Sequence, residues 1–307
     1  MSTTLEKGLA LDKQISFPPS ASGQKAKRRK GEKNIPETPG MPSGLYLFCL
    51  ARLSLLPPLP GAGLDGRPLC LASLGDLAAI YCAVPLEEFC GPEAAHHLQD
   101  LSWVGPRACR HQEVVEAVMR NSPVLPARFG TLFTCRERLE QLLRVHHDRV
   151  ARFLDRVADQ EEWAVKGLLT RALALEAHLA QRLAQEGDRL DGLPAGRRYL
   201  EEQRLRRGVE RQLPRWLREV CQELGAALQD CALHWAQGRL ADRGGNGSGQ
   251  EMILNWAYLV PKAAAFGFKA RIEAANRLHS PYGLFFECTG PWPPYSFSPS
   301  LTMETDP

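Results

Sequence analysis

A Gly75-Asp76 dipeptide separates two short apolar runs, residues 69–74 (LCLASL) and 77–84 (LAAIYCAV). Runs of six to eight residues are strand-sized, and a two-residue break carrying Gly supplies the positive φ that a tight hairpin turn needs. The chain is therefore committed to an antiparallel sheet. Residues 44–50 (GLYLFCL) read as a third buried strand, after which Pro and Gly punctuate a loop at 57–68.

Helical patterns follow. Residues 85–105 read as a polar loop, and Pro106 is suited to open a helix because a first-turn N–H has no partner to lose. Ala108, His111, Val115 and Val118 then recur at 3–4 spacing and define one apolar face. Residues 124–128 form a further short strand. Residues 135–158 form an amphipathic helix lined by Leu139, Leu143, His146, Val150, Phe153 and Val157. The order β-β-β-α-β-α matches a ferredoxin-like or related split sandwich.

A second unit begins near Glu161. Residues 162–169 alternate as a strand, and 171–187 are helical by composition. A stripe of Leu205, Val209, Leu213, Trp216, Val220, Leu224, Leu228, Cys231 and Trp235 keeps helical phase across 197–239, with Pro214 expected to kink it. Residues 241–250 (ADRGGNGSGQ) read as a flexible loop. Residues 252–260, nearly all apolar, read as a central strand, followed by a helix at 262–279 and a last strand at 284–289. The expectation is an α+β protein with two ferredoxin-like subdomains at 44–158 and 159–300, long added helices, and a disordered polar tail at 1–43. The tail holds one basic cluster, Lys25-Ala-Lys-Arg-Arg-Lys30, among Pro, Ser and Gly. No repeat links the two halves.

Composition narrows the function classes. The chain has 307 residues, of which 44% are hydrophobic, and no stretch nears the roughly 20 apolar residues of a spanning helix. The first residues lack a basic region followed by an apolar one, so no secretory signal is read and the expected compartment is cytoplasmic. The nine cysteines are odd in number and none is spaced C-x-x-C, which argues against disulfides or zinc. A net charge of +3 is too balanced to announce nucleic acid. Tyr46 and Phe48 have the spacing of a base-stacking strand but no basic neighbour before Arg52.

Catalytic and cofactor patterns are absent from the sequence. It has no P-loop and no G-x-S-x-G elbow, and its Gly-rich stretches lack the strand and helix that such motifs need. His96-His97 and His146-His147 are adjacent pairs, which point about 100° apart on a helix. His111 follows Cys109 by two residues, a spacing that does not bring helical side chains together. A packed, hydrogen-bonded His111 is the expected case, with Glu87-Glu88 and Glu161-Glu162 as solvated caps. Catalytic, cofactor and metal sites are all expected to be none.

Several segments are unusual for a plain core: Val124-Leu-Pro-Ala-Arg-Phe-Gly-Thr-Leu-Phe133, Glu161-Glu-Trp-Ala-Val-Lys166 and Thr289-Gly-Pro-Trp-Pro-Pro-Tyr-Ser-Phe297. With Gly44-Leu-Tyr-Leu, Asp100-Leu-Ser-Trp103, His111 before Val114-Val115, Gly196-Arg-Arg-Tyr-Leu200 and Asn255-Trp-Ala-Tyr-Leu-Val260, in that order along the chain, they resemble the gas vesicle protein L/F family. The resemblance implies two α+β parts and a non-enzymatic, cofactor-free accessory role in cytoplasmic gas vesicle formation. The implied partners are the hydrophobic shell protein and other gas vesicle proteins, with no nucleic acid and no membrane. The alternative is a minor structural component of the vesicle shell.

The candidate contact residues are Arg128, Phe129, Gly130, Trp163, Lys166, Pro291, Trp292 and Tyr295. Arg128 is read either as a salt bridge anchoring a turn or as a partner contact. Trp163 is read as core, and Lys166 is open. Residues 290–297 are expected to run as a polyproline-like strap across the domain junction, or as an exposed aromatic platform.

Overall fold

The computed structural model describes residues 43–59, 61–90, 94–240 and 249–301. Residues 1–42 of the tail, with its basic cluster, lie outside them, as does the Gly-rich stretch 241–248. The described residues form two compact units that divide between Leu154 and Asp155.

The first unit opens with β1 (Ser43–Arg52), followed by the hairpin β2 (Leu69–Leu74) and β3 (Leu77–Pro85). Gly75 takes φ 60° at the turn, as the dipeptide requires. Two short helices, α1 (Leu86–Phe89) and α2 (Ala94–His97), precede α3 (Leu101–Met119). Then come β4 (Val124–Pro126), β5 (Leu132–Phe133) and α4 (Arg136–Val157). The sheet order is β2-β3-β1-β4, with β5 also on β1. Tyr46, Phe48 and Ile80 of the sheet pack with Val114, Val115 and Val118 of α3. Each such buried side chain stabilises by roughly 1.5–3 kcal/mol.

In the second unit β6 (Gln160–Leu169) leads to α5 (Arg171–Gln185), α6 (Gly187–Asp191) and the 35-residue α7 (Ala195–Gln229). The chain continues through β7 (His234–Gln237), β8 (Glu251–Pro261), α8 (Ala265–His279) and β9 (Leu284–Trp292). The order is β7-β8-β6-β9. The core joins Val165, Tyr258 and Phe286 of the sheet to Leu213 and Leu224 of α7 and Phe268 of α8. Asn276 of α8 exchanges both backbone hydrogen bonds with Phe286, at 2.7 and 2.9 Å, which occupies part of the edge of β9.

The mixed α+β class is as expected. Both sheets place their strands in the same order (second, third, first, fourth), although no sequence repeat is visible. β3 and β8 are each antiparallel to both neighbours, so β1 runs parallel to β2 and β6 parallel to β7 with one strand between them, and the helices α5 to α7 join β6 to β7 as in the split βαβ unit of a ferredoxin-like sheet.

Four local expectations need correction. The segment 85–105 is largely helical, and α3 begins at Leu101 rather than at Pro106. Asp100 caps it by accepting from the Ser102 N–H at 2.8 Å, while Gly105 relieves the crowding that Pro imposes on its predecessor. α7 ends at Gln229, and Trp235 lies in β7. Trp235 pairs with Tyr258 and meets Trp256 edge-on at 6.0 Å, so strand contacts with β8 win over the helical phase it happens to keep. β6 is buried at six consecutive positions, 162–167, because both of its faces are covered. Glu162 is accordingly buried rather than a solvated cap.

Two glycines test this packing with opposite signs. Gly283 has φ 72°, and a Cβ there would fall 2.8 Å from the Thr170 carbonyl oxygen. Gly208 lies inside α7 with open space around it. In urea denaturation Gly283→Ala is expected to cost about 2 kcal/mol or more, whereas Gly208→Ala is expected to stabilise by about 0.5–1 kcal/mol.

Candidate functional site

The turn after β4 is built on a buried hydrogen-bond chain. His111 projects from α3 and is 3% exposed. Its Nε2 lies 3.1 Å from the carbonyl oxygen of Ala127, which can only accept, so Nε2 carries the proton. Nδ1 is then the acceptor for the Tyr46 hydroxyl at 2.8 Å. The Tyr46 oxygen in turn accepts from the Gly130 N–H at 3.3 Å. Thr131 closes the turn, its N–H and hydroxyl both donating to the Arg128 carbonyl at 3.1 and 2.7 Å. Gly130 adopts φ 84°, which favours glycine.

This frame fixes how the three motif residues are displayed. Phe129 is half-buried against the Tyr46 and His111 rings, at 5.9 and 6.0 Å. Arg128 is exposed, and its side chain forms no ion pair among the described residues, so it does not anchor the turn as a salt bridge. Burial holds the His111 imidazole down to about pKa 4, against an ordinary 6.5, and the bond to Ala127 offsets this only in part.

The other candidates gather on β6 and the chain end. Trp163 is core, 7% exposed, with its Nε1–H donating to Glu161 at 3.1 Å and Lys269 over its ring at 4.9 Å. Lys166, four residues from Glu162 and so on the same face of β6, is 9% exposed and stands in register with Asn255 and Glu287. Residues 290–297 are not a polyproline strap. Trp292 is the last residue of β9, in register with Glu162, and Tyr295–Phe297 is a 3-10 turn. A buried carboxylate needs donors. Ser296 supplies two, its N–H at 3.0 Å and its hydroxyl at 2.7 Å, both to Glu162. Gly290 permits the approach, since a Cβ there would fall 2.8 Å from the Glu162 carbonyl oxygen and 3.0 Å from the Trp163 ring. Pro291 is exposed, while Trp292 and Tyr295 are half-buried.

The candidates thus form two separate groups, Arg128 to Gly130 in the first unit and the remainder in the second. Sequence reasoning missed the residues that hold them. Tyr46 and Ser296 act through partners 65 and 134 positions away, and no local pattern encodes that distance. Tyr46 and Phe48 are both fully buried, so they cannot stack on bases. All nine cysteines are free thiols, and burial raises Cys82, Cys221 and Cys288 to about pKa 11, away from nucleophilic use. Among the described residues no cluster of His, Cys, Asp and Glu could hold a metal, and no helix is long and apolar enough to cross a membrane.

The model of the gas vesicle synthesis protein GvpL/GvpF family matches residues 44–299, across both units. The chain belongs to this family. Gas vesicle protein L of Streptomyces sp. (strain CB03234) is 32% identical over 238 residues, covering 77% of this chain and 85% of that protein. Two crystal structures of GvpF share the fold. The one from Anabaena sp. PCC7120 aligns with TM-score 0.58 at 20% identity, and the one from Microcystis aeruginosa with 0.57 at 22%. Each alignment covers 84% of this chain and 99% of the other. In this GvpL/GvpF chain the Arg128 turn and the Ser296 closure both lie inside the matched span.

The depressed His111 pKa has a definite sign. The folded state keeps the ring neutral, while the unfolded chain binds a proton below about 6.5, so stability falls as pH drops from about 6.5 to about 4 and levels off below. At about 1.4 kcal/mol per pKa unit this amounts to roughly 3 kcal/mol. The stability advantage of wild type over His111→Gln is expected to shrink by that amount between pH 7 and pH 4. Tyr46→Phe leaves the Gly130 amide and His111 Nδ1 unpaired. It is expected to cost about 1–3 kcal/mol and to speed hydrogen exchange at Gly130.

Proposed function

We propose that the chain is a non-enzymatic accessory protein of gas vesicle formation in the cytoplasm, which binds the hydrophobic shell protein and limits its aggregation during assembly. The observation that carries this reading is the family match, which spans residues 44–299 and thus both units. The geometry supports it. The histidine that could have served acid–base chemistry is enclosed and fully hydrogen-bonded, while the residues free to meet a partner are displayed on rigid turns. Arg128 with Phe129 offers a cation beside an aromatic ring, and both residue types are enriched in the cores of protein interfaces. Pro291, Trp292 and Tyr295 offer a second, aromatic contact.

Holding the shell protein through a specific interface requires roughly 800 Å² of this protein's surface. Co-expression tests the reading. Shell protein is expected to shift from the pellet to the soluble fraction with this chain present, and to co-purify with it. Arg128→Glu combined with Phe129→Ala is expected to weaken recovery at least about tenfold with the fold retained. Equal aggregation with and without the chain, and no co-purification, would sink the proposal. A urea wash of isolated vesicles separates the role from a fixed shell component, because an assembly factor is removed and an integral component stays.

A further inference from the structure

A groove runs between α5 and α7 that neither the turn nor the chain end uses. Two adjoining cavities of about 400 and 330 Å³ share Arg182, Val209 and Gln212, and so form one channel. Leu205, Val209, Leu213 and Trp216 line it along α7; Val209 and Leu213 are almost fully buried, while Leu205 and Trp216 are half-buried and present apolar surface to it. From Leu205 to Trp216 the helix advances about 16 Å, the length of three helical turns.

The rim is basic. Arg182, Arg189, Arg204 and Arg211 line it against only two carboxylates, Glu186 and Glu201. Both carboxylates are already engaged by Arg189. Arg204 reaches Glu201 only at 3.8 Å and is 80% exposed, and Arg211 has no ion pair among the described residues. At the other end His178 lines the channel, its ring edge-on to Trp216 at 4.6 Å and stacked on Tyr282 at 4.9 Å. Its Nε2 has no hydrogen-bond partner among the described residues.

We infer that this groove is a docking site for an acidic amphipathic helix of a partner protein. Apolar side chains three turns apart meet the half-buried Leu205 and Trp216, and flanking carboxylates meet the surplus arginines, the helix-in-groove mode of recognition with complementary charge. A nucleic acid or a simple anion would satisfy the rim but leave Leu205 and Trp216 uncovered. The inference does not rest on shell-protein binding, since it concerns another surface and a charged rather than a wholly apolar client.

The test uses the full chain and a dye-labelled synthetic peptide of about 12 residues, with leucines on one helical face and glutamates elsewhere, read by fluorescence anisotropy. Saturable binding is expected. The Kd is expected to rise at least tenfold for a scrambled peptide of the same composition and for the double variant Arg204→Glu/Arg211→Glu. Arg206→Glu/Arg218→Glu makes the same charge change at exposed positions that do not line the groove, and is expected to bind like wild type. Circular dichroism checks that both variants stay folded. The inference is overturned if no saturation occurs, if the scrambled peptide binds equally, or if the two variants lose equal affinity. It also fails if a thymidine oligonucleotide competes as well as unlabelled peptide, which would make the rim a general polyanion surface.

Discussion

A polar group taken out of water has to be given a partner, and in both units that requirement fixes a loop far away in sequence. An unpaired buried hydrogen-bonding group costs about 1–3 kcal/mol, and more when charged. In the first unit the buried pair His111 and Tyr46 draws in the backbone of Ala127 and Gly130. In the second, the Glu162 carboxylate draws in Ser296. The unusual motifs of this chain lie on those two loops. Their rigidity comes from the groups beneath them, not from their own composition.

The sheets provide the platform for this arrangement. Each places its first strand in the interior, β1 between β3 and β4 and β6 between β8 and β9. His111 and Glu162 are therefore held against the best-covered strand of each unit or upon it. Four-residue β7 shields one side of β8, and Asn276 occupies part of the β9 edge, so the exposed margin of the second sheet is short. Long helices add surface beyond what the core needs. The first turns of α7 contribute no buried residue, and Tyr199 and Leu200 there are 60% and 65% exposed.

Much of the fold was legible in local patterns. The Gly75-Asp76 hairpin, the apolar run that became β8 and the stripe on α4 each rest on periods of two or 3.6 residues, which any short window reveals. The errors share one cause. The start of α3 is set by the Asp100 cap, not by Pro106, which Gly105 lets the helix tolerate. Trp235 keeps the phase of α7 but is claimed by the edge of β8. Glu162 reads as a cap but is buried, because its donor sits 134 positions downstream.

The sequence by itself determined the α+β class, most strand and helix positions, reduced cysteines and the ordered set of motifs that marks the GvpL/GvpF family. Local periodicity and turn chemistry act within a few residues and need no tertiary information. Only the tertiary structure decided that Tyr46 pairs with His111, that Arg128 is displayed without an ion pair, that residues 290–297 close onto Glu162, and that α5 and α7 enclose a basic groove. Each of these depends on hydrogen bonds or packing between distant segments. Their free energy exists only once the chain has folded, so the sequence carries it as a possibility that no local window can read.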